Sequence, residues 1–569
     1  MYRQEYPNPQ FKRNSYECLN GKWEFEMGKL EDKANKPLAS SIEVPFCPES
    51  KLSGVGYTDH INHCIYSRMI TVSEADKDQR LVLHFGAVDH IAHIYLNGTK
   101  IFEHKGGYTP FEVDIAPHAN VGENRLTVYV EDDIHANVPS GKQSDRESHG
   151  CFYTRSTGIW QTVWLERTPK IYIRNVRFTP DVDNCAVRVE VGTEGGEGEA
   201  EIKVYYEGKE VGSAKGTMYY RQIFDIQLSE KHLWELGAGR LYDVVVTFGE
   251  DKIESYFGLR SVKYEGFKFL LNGKSVYQRL VLDQGYYPNS VYTAPTEQDL
   301  INDILLAKQY GFNGSRLHQK LFEPLFLYHC DKMGYMVWGE YASWGMEYYD
   351  LDGLAQFIAE WTEAVERDYN HPCIVTWCPL NETWMDLKDR RKARDIRFIE
   401  AIYNVTKALD PTRPCCDVSG GHHGRMTDLF DAHCYGDPDD LRMRLEKIVK
   451  ENVYDFECFY APEAEKEGSI AKGDIAVNIS EYGGVAYAQG QQSWGYHTAG
   501  SEKDYVDGYI ARTKQLLDKD WICGFCYTQL YDVEQEQNGL CNYDRTHKIS
   551  EESIQRIYDC NTAVSPIED

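Results

Sequence analysis

The chain has 569 residues, beyond the roughly 250–300 at which a single core stops growing, so several domains are expected. Its 61 basic against 89 acidic residues give a net charge of −28, a field that repels nucleic-acid backbones and anionic membrane surfaces. The opening MYRQEYPNPQFKRN carries no apolar signal-like stretch, no apolar run of about 18 residues follows, and 16 irregularly spaced cysteines make no disulfide scaffold, so a cytoplasmic protein is expected.

From Leu19 to about Leu165 the hydrophobic pattern has period two. LVLHFGAVDHIAHIYLNGTKIF holds two strands and then Asn97-Gly98, a pair that tolerates positive φ in a tight hairpin, and NRLTVYVED and IWQTVWLE add further strands. The expectation is a jelly-roll β-sandwich over 1–168. Short alternating strands continue through IYIRNVRF, CAVRVEVG, EIKVYYEG and RLYDVVVTFG, as in an immunoglobulin-like sandwich over 169–263.

Over 264–569 the pattern changes to apolar strands alternating with helices. TEQDLINDILLAKQYG places Leu300, Ile304 and Ala307 on one stripe, with Thr296 as N-cap and Gly311 as terminator. Strands are predicted at 279–282, 315–317, 335–338, 373–377, 414–418, 431–434, 475–479 and 521–527, which fits a (β/α)8 TIM barrel. A doubly wound sheet is the alternative. In a barrel the active site lies at the C-terminal strand ends, and the polar residues there are Asp283, His318, Glu340, Asn381, Glu382, Tyr435, Glu481 and Gln529.

CIVTWCPLNETWMD ends an apolar strand in Asn381 and Glu382, although burying an unpaired carboxylate is costly. IAVNISEYGG delivers Glu481 from another strand. Two carboxylates across one pocket suit glycosidic cleavage, one protonating the leaving oxygen while the other attacks or activates water. An enolase-like metal site or a structural pair are the alternatives. The adjacent His422 and His423 in GHHGR lack metal-ligand spacing and read as a loop, so neither metal nor cofactor is expected.

The order of domains and these motifs resemble glycoside hydrolase family 2 over nearly the whole chain, with FGAVDHIAHIYLNG, GGYTPFEVDI and TGIWQTVWL similar to its first domain. That resemblance implies a retaining exo-β-glycosidase in which Glu382 is the acid/base, Glu481 the nucleophile, and Asn381 the partner of the sugar 2-hydroxyl. His318 stands where the family often has Ser-His-Tyr-Pro, and Glu340 where many of its β-galactosidases have Asp-Glu. Tyr435 matches a pocket tyrosine. Trp344, Trp384, Tyr527 and Gln529 at strand ends are candidate sugar contacts, and Arg155 in FYTRSTGIW is a candidate to reach the barrel mouth.

The chain departs from the family's β-glucuronidases after the last strand. Their Asn-x-Lys pair grips the uronate, but here Asn538 is followed two later by Leu540 and Asn542 by Asp544. Asp532, Glu534 and Glu536 add negative charge, with Arg545 and Lys548 the available cations. A neutral sugar, and a β-galactosidase-like activity, is therefore expected. A β-hexuronidase with a non-standard carboxylate clamp, or a carbohydrate-binding protein without catalysis, are the alternatives. The expected partner is a small saccharide or glycoconjugate, with no nucleic acid and no membrane, in a monomer or homo-oligomer.

Overall fold

The computed structural model describes residues 2–383, 395–421, 423–451, 475–487 and 494–568; Trp384 and His422 lie outside the described residues.

The N-terminal sandwich packs a six-stranded sheet against a four-stranded one, all pairings antiparallel. Alternation builds its core: Leu126, Val128 and Val130 of one strand turn inward to meet Tyr66, Leu83, Phe85 and Ile94. Asn97 and Gly98 sit at φ +51° and +84° in the hairpin joining Ile91–Leu96 to Thr99–Lys105. The second sandwich has sheets of three and four strands, the immunoglobulin-like count. Its core is aliphatic, with Val187, Val189 and Val191 facing Ile202, Val204, Val244 and Val246.

The C-terminal unit is a parallel barrel. Its strands are β1 (Gln278–Asp283), β2 (Gly314–Leu317), β3 (Met336–Glu340), β4 (Ile374–Cys378), β5 (Val418–Ser419), β6 (Phe430–Cys434), β7 (Val477–Gly483) and β8 (Ile522–Thr528). Seven pair in the order β4-β3-β2-β1-β8-β7-β6, and β5 pairs in parallel with Leu380–Asn381 beyond β4. Helices α1 (Glu297–Gln309), α2 (Pro324–Met333), α3 (Leu351–Asp368), α4 (Ile396–Leu409), α5 (Pro438–Glu451), α6 (Glu502–Leu517) and α7 (Glu551–Asn561) surround it. Thr296 caps α1 by accepting from the Asp299 amide in a capping box.

The fifth strand departs from expectation. Of the predicted 414–418, Cys415 makes an isolated parallel bridge, to Trp377, and regular pairing begins only at Val418. The Asp417 carboxylate takes His423 Nδ1 at 2.7 Å and the Gly424 amide, a local alternative that competes with a regular ladder. Among the described residues, no helix is long and apolar enough to cross a membrane.

The two sandwiches meet the barrel differently. The second docks near the N-terminal strand ends, where Arg260 donates to the carbonyls of Pro372 and Ile374 and Asn370 receives Phe178 N. The first sends residues 137–154 to the rim at the C-terminal strand ends: Asn137 to Asp350, Ser140 N and Gly141 N to the Trp344 carbonyl, and Tyr153 to Glu536.

Candidate active site

β2 carries Arg316 and His318 on its inward face, since residues two apart share a face. Arg316 is fully buried and organises the rim from below. Its Nε lies 2.6 Å from Glu340 Oε2, its Nη1 2.7 Å from Glu481 Oε1, and its Nη2 donates to Asn381 Oδ1 at 2.6 Å. His318 Nδ1 adds a 3.0 Å contact to Glu340, which also accepts from Gln319 N. Strands β2, β3, β4 and β7 are thus tied through one guanidinium.

β6 supplies the second tie. His433 Nδ1 is 2.7 Å from Glu382 Oε1, and its Nε2 is 2.9 Å from Ser419 Oγ and 3.6 Å from Glu481 Oε1. Tyr435 donates its hydroxyl to Glu481 Oε2 and stacks on Tyr496 with centroids 3.5 Å apart. Glu382 is held at φ +37°, a strained conformation for a non-glycine residue, by its amide bond to Ser419 O and its carboxylate contact with His433.

One oxygen each from Glu382 and Glu481 and a nitrogen of His433 lie within 4.8 Å of one another. Carboxyl groups about 5–5.5 Å apart allow direct attack, whereas about 6.5–9.5 Å leaves room for water between them. Nearest oxygens within 4.8 Å accord with the close arrangement.

The electrostatics of the cluster is uneven. Burial alone would raise the Glu481 carboxyl, but His433 and Arg316 outweigh it and hold Glu481 well below the usual carboxylate range, so it stays ionised. His433 is raised despite burial by Glu481 and Glu382. Burial lifts Glu340 to about 7 against the pull of Arg316, and burial with Lys142 and Arg316 depresses His318.

The remaining sequence candidates divide. Trp344 donates its indole N–H to the Asn381 carbonyl at 3.1 Å and so belongs to the site. Gln529 lies at the end of β8, bonded to Gln284 and Asn538. Tyr527 does not face the pocket: it packs outward on Tyr482 and Tyr509 and reaches Tyr505 of α6, because strand parity turns Cys526 inward instead. Arg155 does not reach the barrel mouth, since its guanidinium is spent on the carbonyls of Ser144, Arg146 and Thr58 inside the sandwich.

Arg316 went unread in SRLHQK, although an arginine inside a buried strand demands acidic partners, and that was the available signal. Lys142 of the first sandwich also enters the site, its ammonium 4.4 Å from the Trp344 ring centroid. Two described clusters have metal-ligand atom types, Glu382/His433/Glu481 and Asp331/His371/Cys373. In the second, Asp331 is already engaged by His371, Tyr256 and the Cys373 amide.

The family model for the glycosyl hydrolase family 2 TIM barrel matches residues 262–561, the sugar-binding domain 30–169, and a third family 2 model 171–260. The chain belongs to glycoside hydrolase family 2. It is similar to a β-glucuronidase of Paenibacillus borealis, 26% identical over 89% of each chain. It is also similar to a β-galactosidase of Thermoanaerobacterium thermosulfurigenes, 26% identical over 69% of this chain and 57% of the relative. The solved Bifidobacterium dentium β-glucuronidase complexed with coumarin-3-O-glucuronide shares the fold, with a TM-score of 0.81 at 21% identity and 98% of each chain covered. As a family 2 member with this barrel, the protein is a retaining exo-glycosidase that acts on terminal sugars.

Proposed function

We propose that the protein hydrolyses terminal β-hexuronides by double displacement. Glu481 attacks the anomeric carbon while protonated Glu382 gives its proton to the departing oxygen; Glu382 then removes a proton from the water that releases the sugar. Arg316 holds Asn381 Oδ1, which aims the amide N–H groups of Asn381 at the sugar 2-hydroxyl, and Tyr435 orients Glu481.

The observation that carries the sugar class is the extent of likeness. The Paenibacillus borealis β-glucuronidase aligns over 89% of its own length, whereas the three leading β-galactosidase relatives are covered over 57%, 47% and 39% of theirs. This favours the β-hexuronidase alternative over the neutral-sugar expectation. A β-galactoside stays the second reading because both cations considered for the clamp are engaged. Arg545 binds Asp303 through two 3.0 Å contacts, and Lys548 binds Asp532 and the Gln537 carbonyl.

The test is kcat/KM on paired nitrophenyl β-glucuronide and β-glucoside, and on β-galacturonide and β-galactoside. A uronide preference of tenfold or more in either pair supports the hexuronide reading, and a neutral preference in both pairs refutes it. A cytoplasmic location is proposed alongside; the free state of all described cysteines accords with a reducing compartment, and cell fractionation tests it.

A further inference from the structure

Among the described residues around the rim, Arg316, Arg545, Lys548 and Lys320 are committed cations, and Lys142 is the exception. Arg316 is shared by Glu340, Glu481 and Asn381, and Arg545 and Lys548 hold Asp303 and Asp532. Lys320 gives its ammonium to the carbonyls of Gly285 and Tyr292, both at 2.6 Å. Lys142 differs. It is only 7% exposed, yet among the described residues its ammonium makes no hydrogen bond and no ion pair, and its close neighbour is the Trp344 ring. An ammonium carries three donors, and here they are open to an acceptor that enters the site.

The backbone shows that this placement is built. Gly141 has φ +61°, and a Cβ there would stand 2.4 Å from the Gln319 carbonyl oxygen, so only glycine lets the sandwich loop come this close to the end of β2. Ser140 N and Gly141 N both bond the Trp344 carbonyl, which fixes the loop on the residue that Lys142 covers. Trp344 in turn bonds Asn381, next to Glu382. One short path therefore runs from the ammonium to the catalytic strand end.

Resting on the hexuronide reading, we infer that Lys142 of the N-terminal sandwich receives the carboxylate of the substrate's sugar, doing from another domain what Arg545 and Lys548 cannot. Burial opposes the charge of Lys142, but the fields of Cys151, Glu536, Glu481 and Glu382 outweigh it and raise the ammonium. Glu536 faces the same space; burial raises its carboxyl against the pull of Lys142, Tyr153 and Asn538, which weakens both its support of the ammonium and its repulsion of a uronate. A uronate would complete the ammonium with a charge-assisted hydrogen bond in a dry site, which a neutral hydroxymethyl group cannot match.

The experiment measures kcat/KM for the better nitrophenyl β-hexuronide and its matched neutral β-hexoside in the wild type, Lys142→Met and Lys142→Arg, with melting curves for all three. Lys142→Met should lower the uronide value about 30- to 100-fold and the neutral value less than about threefold, with Lys142→Arg recovering part of the loss. Binding of the free hexuronic acid, followed by calorimetry, should weaken in parallel. A wild type that prefers uronides while Lys142→Met keeps the same uronide-to-hexoside ratio overturns the role of Lys142 and leaves the hexuronide reading standing. A wild type that prefers the neutral sugar overturns both. Equal losses on both substrates in a stably folded Lys142→Met also refute carboxylate recognition.

Discussion

The two β-sandwiches of this chain are built by the same alternation and do different work. The immunoglobulin-like one has an aliphatic core and meets the barrel near its N-terminal strand ends, through contacts such as Arg260 with the Pro372 and Ile374 carbonyls. The first sandwich has an equally ordinary core but extends residues 137–154 over the catalytic rim, where Lys142, Tyr153 and Gly141 touch barrel loops. In a TIM barrel, stability is set largely by the closed core and N-terminal face, while chemistry sits at the C-terminal face. The face a sandwich covers therefore decides whether its residues bear on catalysis.

Perturbing the rim itself should give the largest effect. Arg316→Met strands Glu340 and Glu481 as buried acids without their cation, so kcat/KM should fall at least about 10³-fold and stability by about 3–5 kcal/mol. Initial rates and a denaturant curve measure both. A core cut in the second sandwich should separate the two quantities. Ile202→Ala, at a fully buried position, should cost about 2–5 kcal/mol of stability while kcat/KM of the folded enzyme stays within about twofold. A large loss of activity there would break the contrast between the sandwiches.

Gly141→Ala probes the loop of the first sandwich. The added Cβ collides with the Gln319 carbonyl at a positive φ, so activity should drop about tenfold or more, with a stability cost of about 1–3 kcal/mol, read by the same two assays.

The smallest effect concerns Lys320, sealed under Trp160 of the first sandwich, Tyr292 and Phe322, where burial lowers its ammonium to about 7. Between that value and the unfolded 10.5, the unfolded chain binds the extra proton, so this group's contribution increases stability as pH rises. It is fully present above the unfolded value and lost as pH falls through about 7. From pH 7 to 9 the wild type should gain roughly 2 kcal/mol relative to Lys320→Met, and parallel curves for the two proteins would contradict this.

Most barrel strands were legible within a residue or two because each is an apolar run closed by a helix signal, as β1 and β6 show. β5 was less so: its regular pairing is only two residues long, and the Asp417 carboxylate beside it engages His423 and the Gly424 amide, which apolar periodicity does not register. Glu382 and Glu481 stood out as acids at the ends of buried strands. Arg316 has the same parity as His318 and could have been read with it. Tyr527 was misplaced for the converse reason, having the parity of the outward Phe525. Lys142 had no local signal, since its surroundings arise from two domains docking over residues some 200 positions apart, as the Ser140–Trp344 bond shows.

The central claim is that Glu481 attacks the sugar, and it can be tested covalently. The wild-type enzyme is incubated with a 2-deoxy-2-fluoro-β-hexuronyl fluoride and with the matching neutral glycosyl fluoride, then digested with pepsin and sequenced by mass spectrometry. Time-dependent inactivation is expected, faster with the uronyl reagent, with one glycosyl adduct on the peptide containing Glu481. An adduct on Glu382 or any other residue, or hydrolysis of either reagent with inverted configuration, would contradict it.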